Sequence, residues 1–143
     1  MILLLACLIA IYLRLSIGQS NVSNQEKYLV HLPFSVYLGW ITVATIANAT
    51  ALLVNLHWNS FGLGEQFWTV CVIIVAIIIA LIMIFKRKDI FYGLVVDWAL
   101  TGILIKRLAV DPTPYYSILI TIIAGLILIS LATVFQIIKR KVY

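Results

Sequence analysis

The run VCVIIVAIIIALIMIF, Val70 to Phe85, narrows what this chain can fold into more than any other feature. Its Ile and Val would suit a buried strand by propensity. Its length instead fits a membrane helix, which needs about 20 mostly apolar residues, whereas buried strands run about four to eight. Four further apolar runs accompany it. The sequence predicts helices over about Met1–Ile17, Leu32–Leu56, Gln66–Phe85, Ile90–Ile105 and Pro114–Ile138. Pro33 and Pro114 sit in the first turns of their runs, where a missing N–H costs little. A polar loop at 19–31, a Gly-containing loop at 57–65, a basic turn Lys86–Asp89 and a turn at 106–113 separate the runs. The expected fold is all-α: a polytopic transmembrane helix bundle of about five spanning helices forming a single membrane domain.

Composition agrees. The chain is 64% hydrophobic and 10% charged, with mean hydropathy +1.15, too little charge to cover a soluble surface. The net charge of +5 does not indicate nucleic acid, because the basic residues cluster at the ends of apolar runs. There they act as topology signals, with the lipid bilayer and its anionic inner leaflet as partner. Lys86, Arg87, Lys88, Lys139, Arg140 and Lys141 fall on one side, joined by Lys27 and Arg14, against Lys106 and Arg107 on the other. This bias predicts an N-terminus outside and a C-terminus in the cytoplasm. Trp58, Trp68, Tyr115 and Tyr116 would then form an outer aromatic belt, and Tyr28, Phe34, Phe91 and Tyr92 an inner one. The first run lacks a basic leader and Arg14 follows it, so it reads as a helix rather than a signal peptide.

Little in the chain suggests reaction chemistry. It has no P-loop, dinucleotide fingerprint or HExxH, no CxxC, no paired intramembrane carboxylates and no Ser/His arrangement. Neither an enzyme nor a bound cofactor or metal is expected. Cys7 and Cys71 read as small core residues, and His31 and His57 as interfacial side chains at helix ends. Asn21-Val-Ser falls on the inner side and Asn48-Ala-Thr inside the membrane, so neither glycosylation pattern carries weight.

Three polar stripes interrupt the apolar runs. In the second helix Tyr37, Trp40, Ala44, Asn48, Ala51 and Asn55 share one face. That face is expected to point inward, either as packing glue with Asn bonding across helices or as the lining of a ligand cavity. In the fourth helix Gly93, Asp97 and Thr101 lie at four-residue spacing, with Trp98 beside them. A carboxylate at that depth costs about 3 kcal/mol on insertion scales, so it should be paired, protonated or facing a cavity. Counting depth along each helix nominates Arg14 as its ion-pair partner, with Tyr37 or Trp40 nearby. In the fifth helix Ser117, Thr121, Gly125, Ser130 and Thr133 form a packing face.

The stretch YLGWITVATIAN, Tyr37 to Asn48, resembles the last core helix of the tryptophan-rich sensory protein family (TspO/MBR, or translocator protein), whose pattern there is PY-x-x-W-x-x-F-A-x-x-L-N. HLPFSVYLGWITVATIANATALL with VVDWALTGILIK is similar to a longer prokaryotic branch that continues past the core. On this alignment residues 1–56 stand for the fourth and fifth core helices, and 57–143 for a three-helix C-terminal extension. The three leading core helices have no counterpart here, and the chain opens directly inside a helix, which implies an N-terminally truncated member. Val43 replaces the family's Phe, and its Pro is displaced to Pro33. The resemblance implies binding of a hydrophobic or porphyrin-like (tetrapyrrole) small molecule for sensing or transport in a prokaryotic cytoplasmic membrane, with Tyr37, Trp40, Ala44 and Asn48 carried over as ligand-binding residues. Asp97 and Trp98 join them from the residue reading alone. A chain lacking core helices would form a homo-oligomer or lose binding. The rivals are a small proton-coupled transporter using Asp97 and a structural subunit of a membrane complex.

Overall fold

The computed structural model describes residues 1–19, 21–56, 59–110 and 116–142. The belt residues Trp58 and Tyr115, His57 and the helix opening at Pro114 lie outside the described residues, as do the side chains of Arg140 and Lys141. The chain is 88% helical with no strand among the described residues, so the all-α expectation holds. Five longer helices follow one another: α1 (Ile2–Arg14), α2 (Leu32–Asn55), α3 (Glu65–Arg87), α4 (Ile90–Val110) and α5 (Tyr116–Val142).

Three described segments are long and apolar enough to cross a membrane: Asn24–Leu53, Glu65–Arg87 and Tyr116–Lys139. The other two fall short of the five-span expectation for different reasons. The 13 residues of α1 reach about 20 Å, against a hydrocarbon core of about 30 Å. α4 has 21 residues but carries Asp97, Lys106 and Arg107.

Helix boundaries moved where local signals outweigh hydropathy. The segment entering α2 becomes helical at Asn24, not Leu32, because Ser23 caps it. Ser23 Oγ accepts the Glu26 N–H at 3.3 Å, and Ser-x-x-Glu is the sequence of a capping box. Lys27–His31 then form a π turn, in which the Leu32 N–H bonds the Lys27 carbonyl. Pro33 follows directly. A proline ring inside an α-helix collides with the carbonyl four residues back, and the wider turn gives it room. At the other end of the bundle α4 continues to Val110, past the expected stop at Ile105.

The core sits where α3, α4 and α5 meet. Ile73, Ile77, Ala80 and Ile84 of α3 face Ile118, Ile122 and Ile129 of α5 and Tyr92, Val96 and Leu100 of α4. Their three- and four-residue spacing puts each set on one helical face. Gly125 permits the approach of α3: a Cβ there would lie 2.4 Å from Ile77 Cδ1. α2 packs on α4 and α1 on α2, and Leu8, Tyr12, Ile17, Leu38 and Ile41 extend the same core. Tyr92 is therefore buried at 2% exposure rather than placed in an inner aromatic belt, while Tyr28 and Tyr116 are exposed as belt residues are. Cys7 is exposed, not in the core as expected, because it lies on the outward face of α1.

Candidate functional site

The tightest polar cluster is one the sequence reading passed over. Asp89 ends the basic turn between α3 and α4 and is buried. Its Oδ1 accepts the Tyr92 N–H at 3.1 Å, the bond of a helix N-cap. Its Oδ2 accepts the Tyr12 hydroxyl at 2.7 Å and the Ser35 hydroxyl at 2.6 Å. One carboxylate thus joins α1, α2 and α4. Lys88, in the left-handed conformation at φ 56°, reverses the chain to bring Asp89 there. The loop after α1 closes over the same turn. Gly18 has φ +84°, and a Cβ on it would lie 1.8 Å from the Arg87 carbonyl oxygen, so no other residue fits. Gln19 donates to the Lys86 carbonyl at 3.4 Å and accepts from Arg87 at 3.3 Å, while the Arg87 guanidinium stands 5.9 Å over the Tyr12 ring. His31, expected at the interface, is buried beside this cluster. The available signal was an Asp immediately before an apolar helical run, an N-cap signature hidden by the neighbouring charges.

The residues nominated from the sequence divide. Trp40 and Trp98 come together, with ring centroids 5.8 Å apart and planes inclined at 33°. They bridge α2 and α4 on the outside of the bundle, where Trp40 is 47% and Trp98 68% exposed. Tyr37 is half-exposed, Asn48 is exposed and Ala44 is partly buried. The α2 stripe therefore faces outward within this chain, against expectation. Its Asn48 finds a partner on its own helix, Nδ2 donating to the Ala44 carbonyl at 2.9 Å. Elsewhere on α2, Thr42, Thr45 and Thr50 donate to carbonyls one turn back at 2.7–2.9 Å. Local back-bonding occupies these groups in hydrocarbon, and Thr42 also bonds the Tyr92 side chain of α4. The face of α2 that does meet α4 is marked by Gly39, whose Cβ position lies 3.2 Å from Val95 Cβ.

Asp97 does not pair with Arg14. Its Oδ2 accepts the Ser130 hydroxyl of α5 at 2.6 Å, and its Oδ1 is buried without a hydrogen-bond partner. Arg14 is exposed on α1, which packs on α2, whereas the Gly93–Asp97 stripe turns toward α5. Equal depth brought the two no closer, because they point to opposite sides of the bundle. Thr101 donates back to the Asp97 carbonyl at 2.9 Å. In α5, Gly125 and Thr133 are buried as packing residues, while Ser130 serves Asp97.

Two cavities complete the site. One, of about 760 Å³, opens at the basic end around Lys27, His31, Ser35, Lys86, Asp89 and Lys139. The other is a mostly apolar groove of about 470 Å³ between α2, α3 and α4, lined by Val43, Ala47, Ile73, Val96, Leu100 and Ile103 among others. None of the six nominated residues lines either cavity, although Ala51 and Asn55 of the α2 stripe border the groove. Among the described residues no group of three His, Cys, Asp or Glu side chains could hold a metal ion.

An apolar helical bundle with an aromatic shelf on its second long helix is consistent with the comparison by family. No curated protein and no solved structure matches the chain. The family described as TSPO-like protein matches residues 1–135, and the chain therefore belongs to the TSPO-like family of membrane proteins.

Proposed function

We propose that this TSPO-like protein binds a flat hydrophobic ligand of the tetrapyrrole class at the Trp40–Trp98 shelf, for sensing or transport. The observation that carries the reading is the 5.8 Å approach of the two rings, brought by different helices to one exposed face beside Tyr37. Aromatic faces in apolar surroundings favour stacking on planar molecules. In this reading the protein resides in a prokaryotic cytoplasmic membrane. Residues 1–56 stand for the last two core helices, and 57–143 for an extension organised by the α3–α4–α5 core. All five helices cross, the short α1 by local thinning of the bilayer and α4 with Lys106 and Arg107 near its end and Asp97 bonded to Ser130. The half-exposed α2 face would be completed by lipid, ligand or a second copy.

The test is saturable quenching of tryptophan fluorescence by a porphyrin, on protein folded in detergent. Trp40→Ala and Trp98→Ala should each weaken apparent affinity by roughly tenfold, about the worth of one aromatic contact. Ala47→Phe, which fills the apolar groove, should leave it unchanged. Loss in Ala47→Phe alone moves the ligand to the groove. No saturable quenching of the folded protein rejects ligand binding.

A second reading, proton-coupled transport, is favoured by the unpaired buried Oδ1 of Asp97. It requires uptake driven by a pH gradient in proteoliposomes that disappears in Asp97→Asn.

A further inference from the structure

We propose that the cavity at the basic end of the bundle is a binding site for a phosphate-type oxyanion, presented by an anionic lipid headgroup or by a soluble phosphate. Among the described residues it is lined by Lys27 before α2, Lys86 and Lys88 at the α3–α4 turn, and Lys139 near the end of α5, with His31 and Asp89. Four lysines thus line one space with a single carboxylate. Like charges gathered around a concave surface concentrate a positive potential there. Asp89 offsets one of these charges, and its oxygens are occupied by the Tyr12 and Ser35 hydroxyls and the Tyr92 N–H.

An independent observation points the same way. His31 is 5% exposed, lines this cavity, and its Nε2 has no hydrogen-bond partner among the described residues. Buried polar atoms are nearly always paired, and an orphan calls for a ligand or water. An Nε2–H donates, as do lysine ammonium groups, and an oxyanion with several acceptor oxygens can take several such bonds together. Lysine, a compact point charge, serves phosphate well. The charge bias sets these lysines at the cytoplasmic headgroup level, where anionic lipid phosphates lie.

The experiment uses the full chain in nanodiscs. Phosphatidylglycerol in a phosphatidylcholine background probes a lipid source, and inorganic phosphate added to phosphatidylcholine nanodiscs probes a soluble one. Retained lipid is read by native mass spectrometry. Occupancy is read from the ¹⁵N shift of the His31 ring, assignable because the chain has only 2 histidines. Saturable binding of either probe that shifts the His31 signal is expected, and the probe that binds names the source. Apparent affinity should fall by roughly tenfold or more in the Lys27→Gln/Lys139→Gln double variant. Lys106→Gln, which borders the other cavity, should leave it unchanged. The proposal is overturned if neither probe saturates, if binding leaves the His31 ring signal unmoved, or if Lys106→Gln weakens binding as much as the double variant.

Discussion

Asp89 and Asp97 meet opposite surroundings, and the difference is measurable. Asp89 accepts three hydrogen bonds, two of them from buried hydroxyls on other helices. Removing its charge weakens charge-assisted bonds worth about 1.5–3 kcal/mol each. Asp89→Asn should therefore lower stability by about 2 kcal/mol, and Asp89→Ala by more, because it orphans the Tyr12 and Ser35 hydroxyls. Asp97 has one partner and one unmatched oxygen. Asn can keep the Ser130 bond while relieving a charge held among apolar helices, so Asp97→Asn should leave stability unchanged or raise it. Thermal unfolding in detergent, followed by tryptophan emission, compares the two. A larger loss in Asp97→Asn than in Asp89→Asn would reverse this ranking. Asp97 was legible in the sequence because hydrophobic neighbours isolate it. Asp89 was not, because Lys86, Arg87 and Lys88 beside it read as a solvated turn.

At the scale of the helix, close approach at glycines sets the seams beside the side-chain bonds. Gly125 lets α5 meet Ile77, and Gly93 lets α4 meet Ile84, whose Cδ1 would lie 2.6 Å from an added Cβ. Gly125→Ala should cost about 1–3 kcal/mol by overpacking. Ile77→Val removes the atom that clashes first, so the double variant should recover part of the loss. Thermal unfolding of the two single variants and the double variant measures the coupling, and simple additivity would mean that α3 and α5 are not in contact there. The four-residue spacing of Gly93, Asp97 and Thr101 marked a face in the sequence. It did not name the neighbour. The π turn before Pro33 was also beyond periodicity, since it answers a local steric conflict inside an otherwise continuous helix.

For the whole molecule, the gathered lysines and the alternation of helices predict a topology that labelling can read. With Cys7 and Cys71 replaced by serine, Asn59→Cys should react with a membrane-impermeant maleimide in intact cells. Lys86→Cys should react only after permeabilisation. The opposite pattern reverses the orientation, and equal reaction at both sites would mean that α3 does not cross. Within one chain the α3–α4–α5 core is dense, while α1 is short and the aromatic face of α2 stays open.

The sequence by itself determined that the chain is helical and membrane-embedded, and that its lysines, Lys106 excepted, gather at one end. Hydropathy, helix length and charge act on each segment separately, through the bilayer, and need no knowledge of the neighbours. It also carried the family's Tyr–Trp–Ala–Asn spacing in α2. Only the tertiary structure decided how each helix is rotated about its axis. That rotation turned the α2 stripe outward, gave Asp97 to Ser130 instead of Arg14, and brought Tyr12 and Ser35 to Asp89. The physical reason is that depth is set by the solvent, whereas azimuth is set by steric fit and hydrogen bonds between residues far apart in the chain.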